Sequence, residues 1–97
     1  MPDLAFTWDP NKAASNLRKH QVSFGEAQTV FLDEKALVIP DPDHSAVEER
    51  FVILGMSGSA RILVVVHCFR QAGAVIRIIS ARRAGTKEQK PYWEKAT

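Results

Sequence analysis

Two β-rich runs with a four-residue break between them constrain this chain most. Arg61 to Phe69 contains Ile62-Leu63-Val64-Val65-Val66, and Ala74 to Ser80 is again rich in β-branched residues. A strand with one wet face alternates apolar and polar residues, whereas an unbroken apolar run of strand length is covered on both faces. The first run is therefore expected to be a central strand. Gln71-Ala72-Gly73 between the runs reads as a hairpin, so the second run pairs antiparallel with it.

The rest of the chain arranges itself around that hairpin. Ala5 to Trp8 reads as a short strand. Asp9-Pro10 then opens a helix: Asp9 can accept bonds from unpaired amides, and Pro10 suits a first-turn position that needs no donor. Ala13, Ala14 and Leu17 are expected to share its inward face, and Arg18, Lys19 and His20 complement the dipole of its last turn. Ser23-Phe24-Gly25-Glu26 has the form of a reciprocal capping box at the start of a second helix, which should end near Asp33. Leu37-Val38-Ile39 is a strand that Pro40 stops or places at a sheet edge. Arg50 to Leu54 is another strand, followed by a turn at Gly55 to Ser59. Gly85 to Lys95 reads as a helix, with Thr86-Lys87-Glu88-Gln89 resembling a cap and Pro91 making it short, kinked or late-starting. The order β-α-α-β-β-β-β-α predicts an α+β fold: an antiparallel sheet, two N-terminal helices packed on one face, and a short C-terminal helix.

With 97 residues, the chain falls at the size of one domain, here residues 1–97. No apolar run approaches the roughly 18–20 residues of a membrane helix, and Met1-Pro2-Asp3-Leu4 does not open like a signal peptide. The single cysteine, Cys68, excludes an intrachain disulfide. A cytoplasmic protein with no membrane partner is expected.

The net charge of +2 conceals an asymmetry. Residues 1–60 hold five basic and nine acidic residues, net −4, while residues 61–97 hold eight basic and two acidic, net +6. Five of those eight are arginines, whose planar fork suits phosphate. A nucleic-acid partner and a merely solubilising surface both fit this pattern.

The candidate site residues follow from the same half. Arg82 and Arg83 leave the last strand, with Lys87, Glu88 and Lys90 just beyond. In a strand the two arginines would face opposite sides, whereas in a loop both could converge on one phosphate. Arg77, among isoleucines, must find an anion or leave the core; Glu48, Glu49 and Asp41 are possible partners. Arg70 sits at a hairpin end. His20 and His67 are candidate proton carriers, with His67 better placed as a core residue. Asp41, Asp43 and His44 match no strong metal-binding spacing. Tyr92, Trp8 and Trp93 could stack on bases or fill core.

Taken together, these segments resemble a known family. Phe6-Thr7-Trp8-Asp9-Pro10-Asn11-Lys12 and Asn16-Leu17-Arg18-Lys19-His20-Gln21-Val22-Ser23-Phe24 look like the opening of BrnT-type toxins. Glu26-Ala27, Val30-Phe31-Leu32-Asp33, Glu49-Arg50 and Ile76-Arg77-Ile78-Ile79-Ser80-Ala81-Arg82-Arg83-Ala84 continue the likeness, and Glu88 and Tyr92 fall at its C-terminal Glu and Tyr. The resemblance implies a RelE-like fold and a metal-independent endoribonuclease toxin of a type II toxin–antitoxin pair, with no cofactor. It implies a BrnA-type antitoxin carrying a ribbon-helix-helix domain, with operator DNA contacted only through that antitoxin. Arg82, Arg83, Arg70, Glu88 and His20 would then be catalytic, and Arg77, Lys19, Lys87, Lys90 and Tyr92 would bind RNA. Gly85, in a slot usually held by Thr, and Pro91 depart from the family pattern. They keep open a second reading, a catalytically impaired module that docks an antitoxin or nucleic acid.

Overall fold

The computed structural model describes residues 4–41 and 48–96. The elements follow the expected order: β1 (Ala5–Thr7), α1 (Pro10–His20), α2 (Phe24–Thr29) running into a 3-10 turn (Val30–Leu32), β2 (Leu37–Pro40), β3 (Phe51–Met56), β4 (Ile62–Arg70), β5 (Val75–Arg83) and α3 (Lys90–Ala96). The five strands form one sheet in the order β1-β5-β4-β3-β2. β2 to β5 pair antiparallel, with β4 and β5 central, while β1 lies parallel to β5. The α+β fold and its apolar central strand are as the sequence indicates.

Local chemistry accounts for both helix starts. The Asp9 carboxylate accepts the Asn11 N–H at 2.8 Å, and Pro10 occupies the first turn. The Ser23 hydroxyl accepts the Glu26 N–H at 2.9 Å. The capping box is only half made, because the Glu26 carboxylate turns away to Arg61 and Ser57. The inward face of α1 also differs from expectation. Leu17 is 49% exposed, and the residue buried against the sheet is Asn16. Its side chain reaches strand atoms that leucine could not satisfy.

The two faces of the sheet are unlike. One carries Ile53, Leu63, Val65, Ile78 and Ala81 beneath α1 and α2, where Val22, Phe24, Ala27 and Val30 close the core. Gly55 belongs to this face and not to a turn. It lies in β3, where a Cβ would stand 2.8 Å from Val30 Cγ1 and 2.9 Å from Ala36 Cβ. His67 is fully buried here, ringed by Phe31, Phe51 and Phe69, so it is the core histidine that the sequence suggested.

Among the described residues, the opposite face is covered at one end, where Tyr92 of α3 joins Ile62 and Ala84 against Leu54, Met56 and Val64. Pro91 lies in the first turn of α3 and so begins the helix rather than interrupting it. No helix among the described residues is long and apolar enough to cross a membrane.

Candidate active site

The uncovered face holds an open groove of about 540 Å³. Leu37, Ile39, Val52, Leu54, Val64, Val66 and Pro91 make its apolar side, and Asp41, Ser80, Arg82 and Glu88 its polar rim. Strand alternation puts these residues together: Val64 pairs with Arg82 and Val66 with Ser80, so each pair shares a face. A register shift between Val66 and His67 then brings Cys68 opposite Arg77 and Arg70 opposite Val75. Arg82, Ser80, Arg77 and Arg70 therefore line one face. At roughly 3.3 Å per residue, Arg77 and Arg70 stand about 13 and 20 Å along the sheet from Arg82. That spacing suits successive anions along a strand better than one shared phosphate.

β5 continues through Arg83, which pairs with Leu63 on the helix-covered face. Arg82 and Arg83 thus diverge, and the convergence that a loop would have allowed does not occur. Arg83 contributes instead to the field that lowers the Glu26 carboxyl pKa. The main cause of that lowering is the hydrogen bond from Arg61, opposed by burial and aided by the Ser57 hydroxyl. Lys19 and His20 lie at the end of α1 on this same side of the sheet, because Asn16, one turn earlier, is hydrogen-bonded to Ala81. The expected catalytic set is therefore split between two faces, with Arg82, Arg70 and Glu88 on one and Arg83 and His20 on the other.

Glu88 is tied to Arg82. The guanidinium donates from Nη1 to Oε1 and from Nη2 to Oε2, both at 2.7 Å, and the Gly85 N–H donates to Oε1 at 2.8 Å. These bonds, the Arg82 fork first and the Gly85 amide second, hold the Glu88 pKa down to about 2. Arg70 is held in a similar way by Glu48, at 2.9 Å. Arg77 makes no salt bridge among the described residues, so the pairing offered for it with Glu48, Glu49 or Asp41 is not made. Lys87 and Lys90 are exposed beside Glu88.

Tyr92 is placed differently from its expected role. It is only 3% exposed, and its hydroxyl donates to Asp33 at 2.7 Å, so the ring fills core and cannot stack on a base. Burial, followed by the neighbouring Asp33 carboxylate, pushes its pKa up to about 12. Asp33 was not singled out by sequence, yet it also accepts the Met56 and Lys35 N–H groups and so locks α3 to β3. Trp93 is the exposed aromatic of this helix. Cys68 is buried, and desolvation raises its pKa, which suits an inert thiol. Asp43 and His44 lie outside the described residues. Among those described, no three His, Cys, Asp or Glu side chains gather as for a metal.

No curated protein sequence matches the chain. In fold it is similar to the 1.1 Å crystal structure of the Brucella abortus ribonuclease toxin BrnT, with TM-score 0.67 and 21% identity over 87% of this chain and 100% of that one. The family model for BrnT, the ribonuclease toxin of type II toxin–antitoxin systems, matches residues 8–88. That span runs from Trp8 through Glu88, across both faces of the sheet, and the chain belongs to the BrnT family of ribonuclease toxins.

Proposed function

We propose that this protein cleaves RNA without a metal, using the substrate's own 2′-OH as nucleophile, on the sheet face that carries Arg82. The observation that carries this reading is the row of arginines beside a groove, with a carboxylate already held at Arg82. The 2′-oxygen forms a bond to the adjacent phosphorus, its proton passes to the Glu88 carboxylate, and the bond from phosphorus to the 5′-oxygen breaks. The leaving oxygen takes a proton from water, giving a 2′,3′-cyclic phosphate and a 5′-hydroxyl. Arg82 stabilises the charge that grows on the phosphoryl oxygens, and removing such a donor typically costs roughly 10²–10³-fold in rate. Arg77, Arg70, Lys87 and Lys90 hold flanking phosphates. Lys19, His20 and Arg83, on the other side of the sheet, bind the trailing strand and not the reacting group.

Membership of a toxin–antitoxin family implies an antitoxin partner and an RNA target. The antitoxin we assign is a BrnA-type protein with a ribbon-helix-helix domain, acting in the cytoplasm and making the operator DNA contacts itself. An acidic, apolar segment of it complements the groove and Arg82 together, so that antitoxin and RNA compete. The decisive experiment incubates antitoxin-free protein with RNA in EDTA. Cleavage leaving cyclic phosphate ends, lost in Arg82→Ala and blocked by the antitoxin, is the expected result. No cleavage by soluble wild-type protein, or equal cleavage by Arg82→Ala, would overturn the assignment in favour of a docking module.

A further inference from the structure

Glu88 has a second place in this site. Its carboxylate is gripped by three donors: two nitrogens of the Arg82 fork at 2.7 Å each and the Gly85 N–H at 2.8 Å. A guanidinium fork with a backbone amide beside it is a cradle for a planar or tetrahedral oxyanion, and it accepts a phosphodiester with the same donors. From these bonds we infer that Arg82 and Gly85 form a preformed phosphate site, and that Glu88 fills it as an internal stand-in for the RNA phosphate until substrate displaces it. This rests on the RNA-cleaving reading above and adds to it the resting state of the site.

Three observations separate a displaceable plug from a structural salt bridge. The pair is open to water, the Arg82 and Glu88 side chains being 45% and 43% exposed, so exchange requires no opening of the core. Arg82 is fixed on β5, paired with Val64 of β4, whereas Glu88 sits in a turn between β5 and α3, free to swing away without disturbing the sheet. The exchange is also neutral in charge, one carboxylate leaving as one phosphodiester arrives. Gly85 contributes through its main-chain N–H, since a Cβ there would meet Glu88 Oε1 only at an ordinary contact distance of 3.4 Å. The Glu48–Arg70 pair does not share this design, because Arg50 is a second cation on Glu48 and, among the described residues, no backbone amide joins it.

Displacement gives the proton transfer its timing. While gripped, the Glu88 carboxylate is too weakly basic to take a proton from a 2′-OH. Once released beside the incoming phosphate it returns towards ordinary carboxylate behaviour, next to the hydroxyl that must lose its proton.

The test measures binding without cleavage, using a 2′-deoxy single-stranded oligonucleotide and wild type, Glu88→Gln, Glu88→Ala, Arg82→Ala and the Arg82→Ala/Glu88→Gln double variant. Removing the internal competitor is expected to tighten binding by about three- to tenfold in Glu88→Gln and Glu88→Ala, the range set by an exposed ion pair. The gain is expected to vanish in the Arg82→Ala background, which a general loss of negative charge would not do. Thermal melts confirm that each variant is folded. Unchanged or weaker binding in both Glu88 variants, a gain that persists without Arg82, or no oligonucleotide binding by any variant would overturn the inference. A gain seen only with an acidic antitoxin peptide would also overturn it, by making the cradle a carboxylate site. Absence of cleavage in every variant bears on the proposed function alone, because this readout needs none.

Discussion

Replacing Asn16 by alanine tests how α1 is fastened to the sheet. β1 pairs with β5 only from Val75 to Arg77, so the outer side of β5 beyond that point has no strand to satisfy it. Asn16 takes the strand's place. Its Nδ2 donates to the Ala81 carbonyl at 2.8 Å and to the Val22 carbonyl at 2.9 Å, and its Oδ1 accepts the Ala81 N–H at 3.1 Å. Ala81 and Val22 are both fully buried, so their main-chain groups cannot turn to water. Each buried polar group left unpaired costs about 1–3 kcal/mol. With three groups stranded and some water entering the vacated space, the loss is about 3–5 kcal/mol. In a domain of this length that lowers Tm by roughly 15–30 °C. Urea unfolding followed by circular dichroism and tryptophan fluorescence measures it, with an unchanged slope expected. Asn16→Asp is the control: its carboxylate can still accept the Ala81 N–H but sets an anion against two carbonyl oxygens, so it should be no more stable than the alanine variant. A loss under about 1 kcal/mol in Asn16→Ala, or an aspartate variant clearly more stable than it, would refute the account.

Three further outcomes follow from the same geometry. Arg82→Lys keeps the charge but loses the two-pronged fork, and RNA cleavage is expected to fall by roughly 10²-fold with little change in Tm; near-wild-type turnover would show that the fork is not used. Gly55→Ala forces a methyl to within 3 Å of Val30 and Ala36, and should destabilise by about 1–3 kcal/mol in urea unfolding, a neutral result counting against the packing described. His67 is buried and its pKa is lowered by desolvation from 6.5, so the unfolded chain binds its proton more readily. Stability from this residue is therefore complete above about pH 6.5 and lost as pH falls below it. Unfolding at pH 7.5 and 5.5 should show a smaller acid loss in His67→Phe than in wild type, and equal losses would exclude His67 as its source.

What could be read from the sequence was what neighbours in the chain decide among themselves. Asp9 and Ser23 announce helix starts because a cap bonds to amides two or three residues away. The β4–β5 hairpin is legible because its partners adjoin a short break. What was hidden depends on partners far along the chain. Asn16 meets Ala81 across 65 positions, and Asp33 meets Tyr92 across 59, so one looks like a polar residue on an amphipathic helix and the other like a helix end. Gly55 looks like turn chemistry until the Val30 side chain is set above it. The parting of Arg82 and Arg83 turned on whether the last strand stops at Ser80 or runs three residues further. Nothing in the local pattern sets that length; pairing with Leu63 and Val64 of β4 does.

The charge asymmetry changes meaning when it is folded. Two arginines of the basic half, Arg61 and Arg70, are held by Glu26 and Glu48 of the acidic half, so part of the imbalance is cancelled in three dimensions. Arg82 is held from within its own half, by Glu88. Arg77 and Arg83 make no salt bridge among the described residues, and all three of these last arginines belong to β5. The arginines of the basic half left for an anion therefore lie on one strand, with Arg77 and Arg82 on the sheet face that bears the groove and Arg83 on the helix-covered face. A polyanion following β5 meets an open guanidinium at Arg77 and a carboxylate at Arg82. The step that admits it to the groove rim is the exchange of that carboxylate for a phosphate.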